Sequence, residues 1–527
     1  MSAAQTTIGA IPQDRPAGLR VWITVMAGLL GAFMAVLNIQ ITNASLLNIE
    51  GGIGTGVDNG AWISTAYLIG EIIVIPLTDY LSRVFSFRRF LLTNAILFLI
   101  FSVACAFARN LPEMIALRAI QGFTGGVLIP MAFTLILTRL SAAQRPIGMA
   151  LFAITATFAP AIGPTIGGYL TENYGWRYIF FINLVPGIIM VATLFATLER
   201  QPMRLSLLRQ GDWFGILAMA IGLGALQTVL EEGNKNDWFG SPFIVHLTAI
   251  AVVCLSLFVW IELTVQYPAV NPRLLKRRNF GLGTLANMLV GFALYGSVFL
   301  LPQYLGQTQG YNSEQIGAVM AWTGLPQLIL IPFVPVLMGR FDVRLIVILG
   351  LSVFGGSFLL NMHMSPDYAG DQFWIPNIIR AAGQALVMGP MSAIAMIGVA
   401  QSESASASGI FNMLRNLGGA FGTALLSTLV TKREQFHSNI IGSSVDLYSA
   451  TVRDRIDLMT RYFEAHGIAD PSAAHGRAII ALGQTIRRQA LIMGYSDAFA
   501  VLGFMLILAA CFILFTRKGR ASGAGAH

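Results

Sequence analysis

Arg118 stands about seven residues into an apolar stretch, roughly 10 Å at helical rise, and is followed by Gln121 and Gly122. A guanidinium keeps its proton and is costly in hydrocarbon, so this side chain must face a wet or paired interior. That is the signature of a transport path. Glu71 is the second group able to do chemistry. It lies roughly 16 Å into its own stretch, near mid-depth, whereas Asp79, Glu113, Asp212 and Glu262 fall at span ends or loops and Asp497 nearer an outer end. Ser64, Tyr67, Glu71 and Thr78 fall near one helical stripe, which gives the carboxylate a polar face to share. An acid held between apolar surroundings and a guanidinium is suited to load and release protons, and Glu71 with Arg118 as its charge partner is the expected proton-coupling pair. The competing reading is a purely structural pair, with another group titrating or with uncoupled transport.

Moving parts are the other requirement of transport. Gly163-Pro164-Thr165-Ile166-Gly167-Gly168 removes side chains and one backbone donor from a helix, allowing close contact and a local bend. Gly418, Gly419 and Gly422 repeat the theme later in the chain, and both sets are expected to slide as packing hinges.

These residues must be positioned by membrane helices. Hydrophobic residues make up 55% of the chain and charged residues 11%, and the mean hydropathy is +0.69, a composition whose solvent is mostly lipid. Apolar runs of about twenty residues give about fourteen spans, centred near residues 34, 72, 100, 125, 158, 187, 221, 254, 292, 327, 354, 386, 418 and 504. The expected fold is thus an all-α polytopic membrane protein. Alternate short loops are arginine-rich, as at Arg83, Arg88 and Arg89 or Arg273, Lys276, Arg277 and Arg278, which predicts cytoplasmic termini. The net charge of +8 is then mostly topology, and nucleic acid is not an expected partner. The polar first twenty residues lead into a full-length span, so the first span reads as a retained anchor. Cys105, Cys254 and Cys511 lie in separate apolar stretches without metal-site spacing, and no metal site is expected.

The two ends of the chain echo one another. Asp79-Tyr80-Leu81-Ser82-Arg83 answers Gly339-Arg340-Phe341-Asp342-Val343-Arg344, Arg118 before Pro130-Met131 answers Arg380 before Pro390-Met391, and the two glycine runs fall in corresponding fifth spans. The expected order is a cytoplasmic tail over 1–20, a six-helix bundle over 21–198, and a linker with two additional transmembrane helices over 199–280. A second six-helix bundle follows over 281–516, then a tail over 517–527. Within the second bundle, 431–490 is an extracytoplasmic helical loop. Its stripe of Tyr448, Val452, Ile456, Met459 and Phe463, the stop at Gly467 and the cap at Asp470-Pro471 predict a helical hairpin. That stripe packs on the carrier's own mouth or docks a partner.

Taken together, these motifs resemble the major facilitator superfamily, specifically its fourteen-span drug:proton antiporters of the EmrB/QacA type, along essentially the whole chain. Arg118-Ala119-Ile120-Gln121-Gly122 resembles that family's fourth-span motif, Gly163 to Gly168 its antiport motif, and Ala35 to Leu46 its first-span motif. The resemblance implies two six-helix bundles plus two inserted helices, alternating access driven by a proton gradient without a cofactor, and a bacterial inner-membrane location. It also implies an EmrA-like periplasmic adaptor and an outer-membrane channel as partners. Two positions depart from the pattern. Asn38 stands where the family usually has aspartate, and an amide carries no proton in the physiological range. Ser82 stands where glycine is expected, while Asp79 and Arg83 fit and are expected to lock the inward end of their helix.

Substrates are expected to be small and amphipathic, because no concentrated charge set lines the spans. Candidate contacts are Asn38, Gln40, Thr42, Tyr67, Gln121, Asn287, Tyr295 and Gln384, amides, hydroxyls and aromatics in apolar surroundings. None of the four lysines precedes Ser or Thr, so no Walker A motif is present, and neither an HExxH pair nor a G-x-S-x-G elbow occurs. A multidrug exporter is the expected function. A dedicated exporter of one metabolite, lipid or siderophore is the alternative, and a membrane-embedded enzyme or sensor the remote one.

Overall fold

The computed structural model describes residues 17–55, 60–141, 143–265, 270–400, 403–446, 449–468 and 470–518. Residues 1–16 and 519–527 of the expected tails, and Tyr448 of the extramembrane stripe, lie outside the described residues. The helices of the first part are α1 (Leu19–Ala44), α2 (Leu46–Ile53), α3 (Ala61–Phe85), α4 (Phe87–Ala106), α5 (Leu111–Gly126), α6 (Leu128–Arg139), α7 (Arg145–Tyr174), α8 (Tyr178–Phe181) and α9 (Leu184–Thr197). A hairpin of α10 (Trp213–Glu232) and α11 (Pro242–Thr264) follows. The rest comprises α12 (Arg278–Gln309), α13 (Ser313–Leu330), α14 (Val334–Arg340), α15 (Val343–Leu359), α16 (Trp374–Ala395), α17 (Ser404–Ser444), α18 (Ala450–Ala465) and α19 (Pro471–Leu514). No strand occurs among the described residues.

Each expected span centre falls within a helix. Eleven spans are long and apolar enough to cross a membrane, and α7, bent by 43° near Pro160, makes a twelfth. The other two expected spans fall short on different counts. α15 is apolar but has 17 residues, and α17 is long but diluted by Asn412, Arg415 and Asn416. Polar residues set the helix starts. Asn110 accepts from the Glu113 amide at the head of α5, Asp212 from the Gly215 amide at the head of α10, and Asn312 and Gln315 form a capping box before α13.

In the extramembrane region α18 packs against the start of α19 as a helical hairpin, and the helices on either side are longer than their expected spans. α17 and α19 run on without a break for 41 and 44 residues, about 60 Å each at helical rise, twice the hydrocarbon thickness. Among the described residues, α18 alone stands between them. Its Ile456 is buried and α18 packs against α19, so the predicted stripe covers the chain's own helix. Gly467 takes φ +102° beyond α18, and Asp470 accepts from the Ser472 amide to start α19. The hydrogen bonds to Ser472 hold the Asp470 carboxyl below the usual range.

Two packing devices recur in the two parts of the chain. Arg20 and Arg88 donate to the carbonyls of Ala196 and Phe195 at the end of α9, at 3.3 and 2.7 Å. Arg278 and Arg344 donate likewise to Phe515 and Thr516 after α19, at 2.7 and 3.0 Å. In both parts, then, arginines flanking the first and third spans satisfy the open carbonyls that end the sixth. Glycines provide the second device. On α7, a Cβ at Gly163 would press on the Gln40 side chain of α1, and one at Gly167 would lie 2.9 Å from the Ile41 carbonyl. On α17, Gly418 and Gly422 sit against the backbone of Met288 and Phe292 of α12. One hydrophobic core runs through residues 17–198, and a second, extending from Ala218 in α10 to Ile513, also takes in Ile72, Leu77, Ala150 and Ala153.

The helix that carries Glu71 is held by the same means. Cβ atoms at Gly122 of α5 and Gly70 of α3 would overlap the Tyr67 and Ala119 carbonyls, so backbone meets backbone with no room to yield. Gly122→Val is therefore expected to cost about 1–3 kcal/mol and to lower the thermal midpoint in detergent, while Gly339→Ala, which meets nothing within 4 Å, leaves it unchanged. A wild-type midpoint for Gly122→Val would mean that α3 and α5 do not meet there.

Candidate functional site

Arg118 is fully buried and gathers four helices. Its Nη1 donates to Asn38 Oδ1 on α1 at 2.5 Å and to Gln121 Oε1 at 2.8 Å, and its Nε donates to the Ile63 carbonyl on α3 at 3.3 Å. The guanidinium lies over the Tyr67 ring, 4.3 Å from its centre, and 5.8 Å from the Phe180 ring of α8. This is how a charge is kept inside an apolar bundle, wrapped by oxygens and ring faces.

Glu71, 3% exposed, does not pair with it. The Glu71 Oε1 instead accepts from Asn416 Nδ2 of α17 at 3.0 Å, and Oε2 is buried without a hydrogen-bond partner. Glu71 and Arg118, the expected pair, make no direct contact here: Arg118 bonds to Asn38 and Gln121, and Glu71 turns toward the other part of the chain. Asn416 also accepts from the Tyr295 hydroxyl of α12 at 3.3 Å.

Glu71 lines a cavity of about 490 Å³ between α1, α3, α7, α10, α12 and α17. Ile39, Leu68, Ile72, Val298 and Phe299 make its apolar wall, with Gln40, Asn43, Ser64, Gln303 and Thr423 as polar points. A volume and mixture of this kind fit a small amphipathic molecule. The lining belongs to the parts of these helices that lie away from the termini. At the opposite end the walls meet. Phe133 stacks on Phe411 at 6.4 Å, Ser392 Oγ donates to Met149 Sδ at 3.7 Å, and Gly409 abuts the Ile75 carbonyl.

Of the eight expected substrate contacts, Gln40 and Tyr295 line the cavity. The other six are outside the cavity lining and make helix-to-helix or within-helix hydrogen bonds. Asn38 and Gln121 hold Arg118, Thr42 donates to the Asn38 carbonyl at 2.8 Å, and Tyr67 donates to the Ala35 carbonyl at 3.2 Å. Asn287 donates to the Phe411 carbonyl at 2.9 Å, and Gln384 accepts from Gln327 at 2.6 Å. Lipid offers no hydrogen bonds, so buried amides and hydroxyls are used up by neighbouring helices first. Among the expected moving parts, Pro164 and Gly419 line the cavity, Gly168 is buried, and Asp79 pairs with Arg83 at 3.4 Å.

The sequence reading missed Asn416, Gln227 and Glu231. Glu231 stands at the end of its span, next to the last residue of α10. The available signal was its i,i+4 spacing from Gln227, whose Nε2 donates to Glu231 Oε1 at 3.1 Å on the cavity side of α10. Among the described residues, no group of three or more His, Cys, Asp or Glu side chains is placed to hold a metal ion.

The Major Facilitator Superfamily model matches residues 28–423. The colistin resistance protein EmrB of Acinetobacter baumannii is 33% identical over 95% of this chain and 97% of its own length. The multidrug export protein EmrB of Escherichia coli K12 is 31% identical over 97% of this chain and 99% of its own. Among solved structures, the proton:xylose symporter XylE superposes with a TM-score of 0.57 at 15% identity, covering 94% of this chain and 95% of the symporter, a likeness of fold alone. The chain belongs to the major facilitator superfamily, in its EmrB-type branch, and is a multi-pass secondary transporter rather than an enzyme.

Proposed function

We propose that this transporter is a proton-coupled multidrug exporter of amphipathic or hydrophobic compounds, and that Glu71 is its proton-carrying group. The bond from Asn416 to Glu71 supports this reading most directly, because it is a buried carboxylate's one hydrogen bond and it joins helices 345 residues apart. A hydrogen bond to an ionised carboxylate is roughly twice as strong as one to a neutral group. Losing the proton therefore tightens α3 against α17, and gaining it loosens them. Cargo and proton compete for one cavity, so release of cargo outward is driven by proton entry. Each proton contributes about 2.3 kcal/mol per 100 mV of membrane potential and about 1.4 kcal/mol per pH unit.

In this reading the six-helix sets 21–198 and 281–516 rock about the cavity, sliding on the glycine contacts of α7 and α17, while residues 199–280 supply the inserted pair. Asp79 with Arg83 steadies the terminus-bearing end of α3. Both termini lie in the cytoplasm of a bacterium with an inner membrane, so the cavity described above faces outward. The names of the two relatives, one for colistin resistance and one for multidrug export, support cargo of this class. An EmrA-like periplasmic adaptor and an outer-membrane channel are the proposed partners, with α17 and α19 projecting toward them.

Two experiments test the assignment. In proteoliposomes with an imposed inward proton gradient, Glu71→Gln is expected to lose at least tenfold of gradient-driven dye flux while retaining equilibrium dye binding. Full gradient-driven flux in that variant sinks Glu71 as the carrier, and absence of wild-type flux for every dye points to the dedicated-exporter alternative. Asn416→Leu keeps the carboxyl but removes its tie to α17. It is expected to bind dye within a fewfold of wild type while transporting fewer dye molecules per proton, read from simultaneous dye and pH traces. An unchanged ratio would mean that the bond does not couple the two movements.

A further inference from the structure

α10 belongs to neither six-helix set, yet it forms part of the cavity wall. Gln227 and Glu231 line the cavity, and a Cβ added at Gly224 would reach ordinary contact with Ile69 and Ile73 of α3. Two charged residues line the cavity, Glu71 and Glu231, and both are acids. No lysine or arginine is among the lining residues. Arg118 is enclosed by Asn38, Gln121 and Tyr67, and Arg415 packs along Gly291 of α12 behind the wall. Lys235, the cation next in sequence to Glu231, pairs with Glu232 at 3.9 Å. Among the described residues, Glu231 thus has Gln227 as its hydrogen-bond partner and no cation in an ion pair with it. Glu71 adds a buried, unpartnered Oε2 within the same space.

We infer that the inserted helix α10 selects cationic cargo, with Glu231 receiving the cationic nitrogen or phosphonium of an amphipathic substrate. The inference rests on the exporter reading above and names its substrate class. A carboxylate facing an apolar cavity is costly without a counter-charge, so a cation that supplies one is favoured over a neutral molecule of equal size, and an anion is repelled. Tyr295 and Phe299 of α12 offer ring faces for the apolar body and for the charge. Division of labour follows from placement. Glu71 is tied to α17 by Asn416 and reports proton occupancy, whereas Glu231 is free of that tie and reads charge.

The test uses the full-length protein with tetraphenylphosphonium as the cationic probe and Nile red as the neutral one. In detergent, Glu231→Gln is expected to weaken tetraphenylphosphonium binding at least tenfold while Nile red binding stays within twofold, and Glu231→Asp recovers part of the loss. Retained Nile red binding and a wild-type thermal midpoint in detergent show that Glu231→Gln folds, and gradient-driven Nile red flux is read in parallel in wild-type proteoliposomes. Unchanged tetraphenylphosphonium affinity overturns the inference. Equal loss of both probes overturns it as well, because Glu231 would then serve architecture or coupling. Absence of wild-type gradient-driven flux would count against the exporter reading alone, since the binding comparison still decides the role of Glu231.

Discussion

The energetic constraint on this molecule is the permanently charged guanidinium of Arg118 in a space that lipid surrounds. It is met by Asn38, Gln121, the Ile63 carbonyl and two aromatic faces, which together draw α1, α3, α5 and α8 onto one point. An aspartate at position 38 would make that contact an ion pair that opens and closes with protonation. The asparagine makes it a permanent neutral-to-charged hydrogen bond. Arg118 is thereby withdrawn into the structure of the first part of the chain, and Glu71 is left to face Asn416 across the seam.

Everything that carries Glu71 to that seam is close packing. Gly70 and Gly122 bring α3 onto α5, Gly163 and Gly167 bring α7 onto α1, and Gly418 and Gly422 bring α17 onto α12. Contacts between bare backbones are shape-specific and carry few polar bonds, so each helix pair can act as one rigid piece. The seam between the pieces is different. It holds stacked rings at Phe133 and Phe411, a weak hydroxyl-to-sulfur contact at Ser392 and Met149, and the bond from Asn416 to Glu71. A surface of that kind can part without leaving many buried polar groups unsatisfied, which is what two alternating arrangements require.

The helices were legible because hydropathy reports burial in lipid one span at a time, and every expected centre falls within a helix. The burial of Arg118 and Glu71 was legible for the same reason, since an ionisable residue at mid-depth has few places to go. Partnership was not. Asn416 is 345 positions from Glu71, and nothing local distinguishes it from Asn412, which bonds within its own helix at 2.9 Å. The six amides, hydroxyls and aromatics expected to meet substrate looked no different from Gln40 and Tyr295, because the choice between a helix neighbour and a cavity depends on helix rotation. The long runs of α17 and α19 were masked by charges at Lys432, Arg433, Arg487 and Arg488, which end an apolar stretch without ending a helix.

The inserted hairpin has mechanical consequences that follow from where it is fastened. At the terminus-bearing end, the segment leading into α10 is tied to α3. The Arg204 amide donates to the Val84 carbonyl at 2.9 Å, the Tyr80 hydroxyl donates to the Leu207 carbonyl at 3.2 Å, and Trp213 meets the Tyr80 ring edge-on. At the far end, α10 and the turn after it are tied to α17, with Asn234 donating to Ser427 and Trp238 to Thr428, both at 2.9 Å. Leu230 packs there against Ala420 and Ala424. Midway, α10 meets α3 through apolar packing, with Ala218, Met219 and Leu223 in one core with Ile72 and Leu77. α10 is therefore a strut fixed at opposite ends to opposite parts of the chain. A rocking motion that separates α3 from α17 must tilt it or break one set of ties. Glu231 sits one turn from the α17 ties and beside Leu230, so the cavity wall and the fastening that has to yield adjoin on the same helix end.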